Sequence, residues 1–284
     1  MTTAWLALAA AFLWGGGDFA GGMGVKAAGG RLPGALRVVF LSHSTSLCLL
    51  VAIAMLRGDP FPHGAPLLWS IVAGICGSGA VVMFYIALSR GAMGASAAIS
   101  GLLAAAIPAV VAIWVDGAPS LQKLLGFLIA GAAIWMIAGA SGHEARGTMG
   151  LAIVSGAGFG IYFVALRFAG TSGIAWPMAT TRMASLTLCT VMLLTLRLRG
   201  ATNPHTFDRP AVVWTLGTAL LDTSGNLLFI AATRAGRLDV AAVLASLYPA
   251  TTILLAALAL KEAPTRRQSL GMGLAAAAVL LVTL

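Results

Sequence analysis

Ala4-Trp-Leu-Ala-Leu-Ala-Ala-Ala-Phe-Leu-Trp-Gly-Gly-Gly-Asp-Phe-Ala-Gly-Gly-Met-Gly-Val25 runs for 22 residues with a single charge, Asp18. A hydrocarbon core roughly 30 Å thick takes about 20 helical residues to cross. By length and apolarity this stretch therefore reads as a membrane helix. The run starts at once with no Lys or Arg before it, which predicts a first membrane helix rather than a cleaved signal peptide.

Nine more runs of the same kind follow: Pro33 to Met55, Leu67 to Ser89, Met93 to Val115, Leu121 to Ala140, Met149 to Phe168, Ile174 to Leu196, Ala211 to Ala232, Leu238 to Leu260 and Ser269 to Leu284. The whole chain of 284 residues is 60% hydrophobic and 9% charged, against roughly 25% charged in an average soluble domain. An ordinary globular fold is excluded. Lipid-facing backbone must satisfy its own hydrogen bonds, and the runs lack the alternation of barrel strands, so helices are required. The expected fold is an all-α membrane protein with ten transmembrane helices. Brief connectors such as Arg57-Gly-Asp-Pro60, Asp116-Gly-Ala-Pro119 and Lys261-Glu-Ala-Pro264 leave no room for a soluble domain.

Sliding the second half over the first by about half the chain length reveals an internal repeat. Lys26 meets Arg167, Arg37 meets Arg182, Arg90 meets Arg234, Pro119 meets Pro264, and Gly126 meets Gly271. The expected division is residues 1–142 and 143–284, within one membrane domain. An odd number of spans per repeat makes the second copy enter from the opposite side, giving two inverted five-helix repeats with a substrate site near the midplane. Gly17-x-x-x-Gly21 and Gly156-x-x-x-Gly160 support close helix contact, although glycine is common in membrane helices generally.

The order of several short motifs resembles the drug/metabolite transporter superfamily, in particular its ten-helix EamA-type transporters. The matching pieces are Leu13-Trp-Gly15, Arg37 early in span two, Phe84-Tyr-Ile-Ala-Leu-Ser-Arg90, Leu228-Phe-Ile-Ala-Ala-Thr-Arg234, Leu247-Tyr-Pro249, and Lys261-Glu262-Ala-Pro264 with Gly271 downstream. Two departures stand out: Asp116-Gly117 replaces the family's usual Gly-Glu pair, and Pro108 lies one turn later after Arg90 than Pro249 does after Arg234. The resemblance implies a multi-pass secondary transporter of the cytoplasmic (inner) membrane that exports amino acids or related small metabolites.

An ionisable group at the centre of a membrane helix costs about 2.5 to 3.5 kcal/mol on insertion scales, so each must face the bundle interior or water. Asp18 and Asp222 qualify, and Trp14–Asp18 and Asp222–Asn226 are i,i+4 pairs that share a helix face. The glycines around Asp18 allow close backbone approach or local unwinding. Asp18 is read as facing a central cavity, where it pairs with a cationic group of the substrate or takes up a proton; the alternative is an acid held by a neighbour for packing. Asp222 carries the same two readings. Arg182, two turns inside span seven, is set to pair with an acid or fork a substrate carboxylate, or else to snorkel to the interface. His43 is a packing residue or a proton relay, so the proton-coupling candidates are Asp18, Asp222 and His43. Trp14, Tyr85, Tyr162 and Tyr248 are core or interface aromatics, or cavity walls for a planar or apolar substrate. Tyr248 precedes Pro249, which frees a backbone carbonyl one turn earlier. The candidate substrate-binding set is thus Trp14, Asp18, Tyr85, Tyr162, Arg182, Asp222, Asn226 and Tyr248.

Other classes find little footing. The net charge of +9 comes from scattered residues, so no nucleic-acid partner is indicated. Cys48, Cys76 and Cys189 are far apart in apolar stretches and read as small buried residues, with no metal or disulfide implied. There is no phosphate-cradling GxxxxGK[ST], no HExxH and no Gly-x-Ser-x-Gly. No cofactor is called for. The expected partners are a small-molecule substrate, the lipid bilayer and a proton as candidate coupling ion, with the chain acting as a monomer or homodimer. A passive channel or facilitator is the alternative, and an intramembrane enzyme a more distant one. Counting Lys and Arg near span ends gives eleven on the side of the first connector and five on the other, which favours an outside N-terminus, whereas the resemblance implies an inside one.

Overall fold

Pro33, Pro66 and Pro210 each stand in the first turn of a helix, where a missing N–H costs nothing and the fixed φ already suits the helix. The computed structural model describes residues 2–90, 93–138, 144–201, 207–260 and 265–283. Those residues form α1 (Thr2–Ala27), α2 (Leu32–Arg57), α3 (Ala65–Ser89), α4 (Met93–Val115), α5 (Leu121–Ala138), α6 (Glu144–Ala169), α7 (Ala175–Leu198), α8 (Arg209–Ala235), α9 (Leu238–Ala245), α10 (Tyr248–Leu260) and α11 (Arg266–Thr283). No strand occurs among the described residues. Local signals set the ends. Gly58 at φ 63° closes α2 by donating its N–H to Ala54 and Met55, and the Asp208 carboxylate accepts the Ala211 N–H at the start of α8. The connector residues Lys261, Glu262 and Pro264, together with His143 and His205, lie outside the described set.

Helices occupy all ten apolar runs, and five of the helical stretches are long and apolar enough to cross a membrane: Leu32–Arg57, Ala65–Ser89, Thr148–Ser172, Ala175–Leu198 and Leu238–Ala259. The ninth run, expected as one helix, is divided between α9 and α10. Pro249 has no N–H to donate, and its ring would strike the carbonyl four residues back, which belongs to Ala245, the last residue of α9. Pro108 does no such damage, and α4 continues through it.

The most extensive pairings are α1 with α8, α3 with α6, α5 with α11, α4 with α6 and α2 with α7. Alanine dominates these seams, and large apolar side chains such as Leu56, Trp114 and Leu198 point outward, more than four-fifths exposed. That inversion suits a bundle whose surroundings are hydrocarbon: outward apolar groups cost nothing there, and small residues let helix backbones meet. Cys48 belongs to this outer surface rather than to the core, which corrects the reading of all three cysteines as buried; all three are free.

Helix α1 shows how the glycines act. It is continuous from Thr2 to Ala27, so the glycine run beside Asp18 produces no unwinding. A Cβ on Gly15 would stand 2.6 Å from the Tyr248 carbonyl oxygen and closer still to Thr251, one on Gly17 would lie 3.3 Å from the Asp222 nitrogen, and Gly21 carries the Tyr85 ring. Gly156 and Gly160 both pack along α4, against Ser100, Leu103 and Ile107. The two GxxxG motifs therefore serve different partners.

At one end of the bundle a charged knot joins distant segments. The Asp116 carboxylate, in the turn after α4, accepts the Leu238 N–H at 2.7 Å and pairs with Arg167 at 3.5 Å. Arg237 donates to the carbonyls of Asp116 (2.8 Å) and Gly117 (2.7 Å) and to the buried Asp239 carboxylate. Hydrogen bonding to Asp239 holds the Arg237 guanidinium more firmly protonated than usual.

Gly15→Val should lower stability by about 1–3 kcal/mol, because α1 must retreat from α10 to admit the side chain. Gly79→Ala, where nothing lies within 4 Å, should leave stability unchanged or raise it by up to about 1 kcal/mol. Thermal unfolding in detergent, followed by circular dichroism, reads both.

Candidate functional site

The membrane interior tolerates a charged side chain only where something answers it, and the central cavity is where the answers collect. Its walls come from α1 (Trp14, Asp18), α2 (His43), α3 (Ala73, Gly74, Gly77, Ser78, Val81), α6 (Phe159, Tyr162, Phe163), α7 (Thr181, Arg182, Ser185), α8 (Asp222) and α10 (Tyr248). They enclose about 500 Å³ of empty space, the open part included.

Arg182 is the hub. It is 3% exposed, and each of its three nitrogens has a partner: Nη2 donates to the Asp222 carboxylate in a short ion pair, Nε to Ser46 Oγ at 3.1 Å, and Nη1 to His43 Nε2 at 2.8 Å. Because guanidinium can only donate, His43 Nε2 must accept, which leaves the imidazole neutral with its proton on Nδ1. That proton goes to Ser185 Oγ, 2.5 Å away. Thr223 Oγ1 shares a 2.6 Å hydrogen bond with Ser46 Oγ and so ties α8 into the same network.

Asn226 Nδ2 donates to the Asp222 carbonyl at 2.7 Å, and its Oδ1 accepts the Tyr162 hydroxyl at 2.6 Å, which fixes that ring on the cavity wall. Gly77 gives the Tyr162 ring its seat on α3, and Gly225 gives Trp14 its seat on α8. Trp14 stacks on Phe163 with centroids 5.0 Å apart and planes 4° from parallel, and Phe229 closes the cluster at 5.3 Å from Trp14. Tyr248 stands at the first position of α10, edge-on to Phe84 at 6.1 Å. Its buried hydroxyl finds no hydrogen-bond partner of good geometry among the described residues.

Asp18 differs from Asp222. No hydrogen bond or ion pair reaches its carboxylate among the described residues, yet it faces the same cavity. The structure thus brings together six of the eight substrate-binding candidates, Trp14, Asp18, Tyr162, Arg182, Asp222 and Tyr248, and adds His43. Tyr85 and Asn226 stand behind the wall. Tyr85 packs on Gly21 beside Asp18, and Asn226 braces Tyr162.

Sequence reasoning missed Ser46, Ser78, Phe159, Phe163, Thr181 and Ser185. The helical spacing Phe159, Tyr162, Phe163 and the i,i+4 pair Thr181, Ser185 around Arg182 could have marked the inner faces of α6 and α7.

Residues 147–284 match the model of the EamA-like transporter family. The second half of the chain thus carries the domain of this family. The match implies a membrane transporter of the drug/metabolite type, and together with the apolar helices it points to a multi-pass membrane protein. A solved structure, described only as the crystal structure of a protein, shares the fold with TM-score 0.74 at 17% identity, over 99% of this transporter and 96% of that chain. Among curated proteins nothing matches.

Asp222→Asn should destabilise the transporter by about 3–5 kcal/mol, since Arg182 would stay charged and buried without its counter-ion. The double variant Arg182→Met/Asp222→Leu should recover much of that loss. A double-mutant cycle on detergent unfolding midpoints reads the coupling.

Proposed function

We propose that this EamA-like protein is a secondary transporter that moves a small polar metabolite, with amino acids the first class to test, across the cytoplasmic membrane by alternating access. The observation that carries the reading is the convergence of Asp18 and Asp222 on one cavity whose walls come from both halves of the chain. A packing role for Asp18 predicts a donor locked onto the carboxylate, and none reaches it among the described residues. An unanswered acid facing a cavity is suited to meet a cationic group or a proton that comes and goes.

In this reading the ten helical segments cross the membrane as two inverted five-helix repeats, residues 1–142 and 143–284. The packing pattern supports it. Exchanging each helix for its repeat partner turns the α1–α8 pairing into α6–α3, turns α4–α6 into α9 and α10 against α1, and returns α2–α7 and α5–α11 to themselves. Repeats so related can rock about a midplane site to open it to either side. Export is the favoured direction and a proton the candidate coupling ion, with Asp18 as the main polar anchor and Asp222 and His43 as further proton sites. A passive facilitator would share the cavity but show no response to an imposed pH gradient.

Uptake into proteoliposomes under imposed pH and substrate gradients, with a panel of amino acids and related metabolites, tests the reading. Asp18→Asn should lose transport by about tenfold or more, the scale of one lost charge-assisted contact. Undiminished transport by that variant would remove Asp18 from the mechanism.

A further inference from the structure

Which kind of solute the cavity accepts follows from counting its charges. Six titratable side chains line it: Asp18, His43, Tyr162, Arg182, Asp222 and Tyr248. His43 is neutral, because Arg182 donates to its Nε2. Arg182 and Asp222 cancel one another in their ion pair. Asp18 is left over, so the ionised cavity carries one net negative charge and, among the described residues, no cation that is not already paired.

Arg182 decides against a carboxylate ligand. A guanidinium recognises a carboxylate best when two parallel N–H groups are free to form a fork. Here Nη2 donates to Asp222, Nη1 to His43 and Nε to Ser46, which takes up three of the five N–H groups and neutralises the charge, and the side chain is 3% exposed. Binding a substrate carboxylate there would mean breaking the pair with Asp222 and stranding that acid in the cavity, which is costly at low dielectric.

The walls favour an apolar or aromatic body. Five rings line the space: Trp14, Phe159, Tyr162, Phe163 and Tyr248. Ring faces attract cations as well as apolar groups. The buried Tyr248 hydroxyl, which lacks a well-aligned partner among the described residues, is a further polar atom that a ligand N–H could satisfy.

We infer that the cavity is built for organic monocations, solutes with a protonated amine on an apolar or aromatic body and no free carboxylate, with Asp18 as their counter-ion. The inference rests on the cavity being the substrate site proposed above, and narrows that substrate from amino acids in general to amines. A cation brings the cavity to neutrality. A zwitterion leaves its carboxylate unanswered, and an anion adds a second uncompensated charge.

Three compounds that share a phenylethyl body separate these cases: phenethylamine (cation), phenylalanine (zwitterion) and 3-phenylpropionate (anion). Equilibrium binding to the purified full-length protein in detergent, read by calorimetry at neutral pH, should rank them in that order, with phenethylamine tighter than phenylalanine by about tenfold or more. Asp18→Asn should abolish the preference and Asp18→Glu should keep it, with unfolding midpoints confirming that both variants are folded. Equal or tighter binding of phenylalanine, a preference that survives Asp18→Asn, or no measurable binding of phenethylamine would overturn the inference. The transporter reading fails separately. Cations that bind but are not moved in liposomes would sink the transporter reading alone, and liposomes that move only zwitterions would sink this inference alone.

Discussion

A guanidinium stays protonated at any pH a cell meets, and Arg182 is 3% exposed in α7, a helix long and apolar enough to cross a membrane. Taking that charge out of water costs several kcal/mol even after relaxation, and only close, well-directed partners repay it. Much of the middle of the bundle is organised by this demand. Asp222 comes from α8 to supply the opposite charge, and His43 and Ser46 come from α2 to accept from Nη1 and Nε. The interlocking of α2, α7 and α8 at mid-bundle is therefore electrostatic at its centre and apolar around it.

Since the cation of the cavity, Arg182, pairs with Asp222, Asp18 has no partner among the described residues. Its position depends on backbone proximity instead. Gly17 lets α1 lie against the start of Asp222, Gly15 lets it lie against the carbonyl of Tyr248, and Gly21 accommodates the Tyr85 ring. Larger residues at these three positions would push α1 away and move Asp18 off the cavity. The break between α9 and α10 belongs to the same design: it ends one helix at Ala245 and starts the next at Tyr248, so that a tyrosine at a helix N-terminus reaches the wall. Close approach at glycine and interruption at proline are backbone devices, and together they place the polar side chains.

The fold class was legible because bilayer physics leaves few options: runs near 20 apolar residues must be helices, and each of the ten runs is helical. Part of the site was legible for a related reason. Charges inside such runs must face inward, so Asp18, Asp222 and Arg182 could be chosen by cost alone, and i,i+4 spacing added Trp14. What stayed hidden was the pairing. Ser46 and Ser185 are ordinary residues until Arg182 and His43 meet them from 136 and 142 positions away in the chain, and local periodicity says nothing about such distances. The division at Pro249 did carry a local signal, since proline conflicts with the carbonyl four residues earlier, but the apolar run passes over it without a change in composition. Asn226 shares a helix face with Asp222 as its spacing requires, yet it braces Tyr162 instead of lining the cavity, a distinction that only the position of α6 decides.

Under the proposed repeat, the chemical lopsidedness of the cavity follows from divergence between the halves. In the register that sets Lys26 on Arg167, Asp18 falls on Phe159; in the register that sets Arg90 on Arg234, Ser78 falls on Asp222. All four of these residues line the cavity. Positions matched in these registers line the same cavity, which fits the proposed repeats related by a midplane axis, but an acid in one half is matched to a phenylalanine or a serine in the other. A site that kept both copies of each acid would hold four carboxylates against one arginine and would be strongly self-repelling in a low dielectric. In the proposed repeat, divergence of the halves removes that repulsion without moving a helix. It leaves one acid, Asp18, without a partner among the described residues, which gives the proposed pseudo-symmetric scaffold the single ligand polarity inferred above.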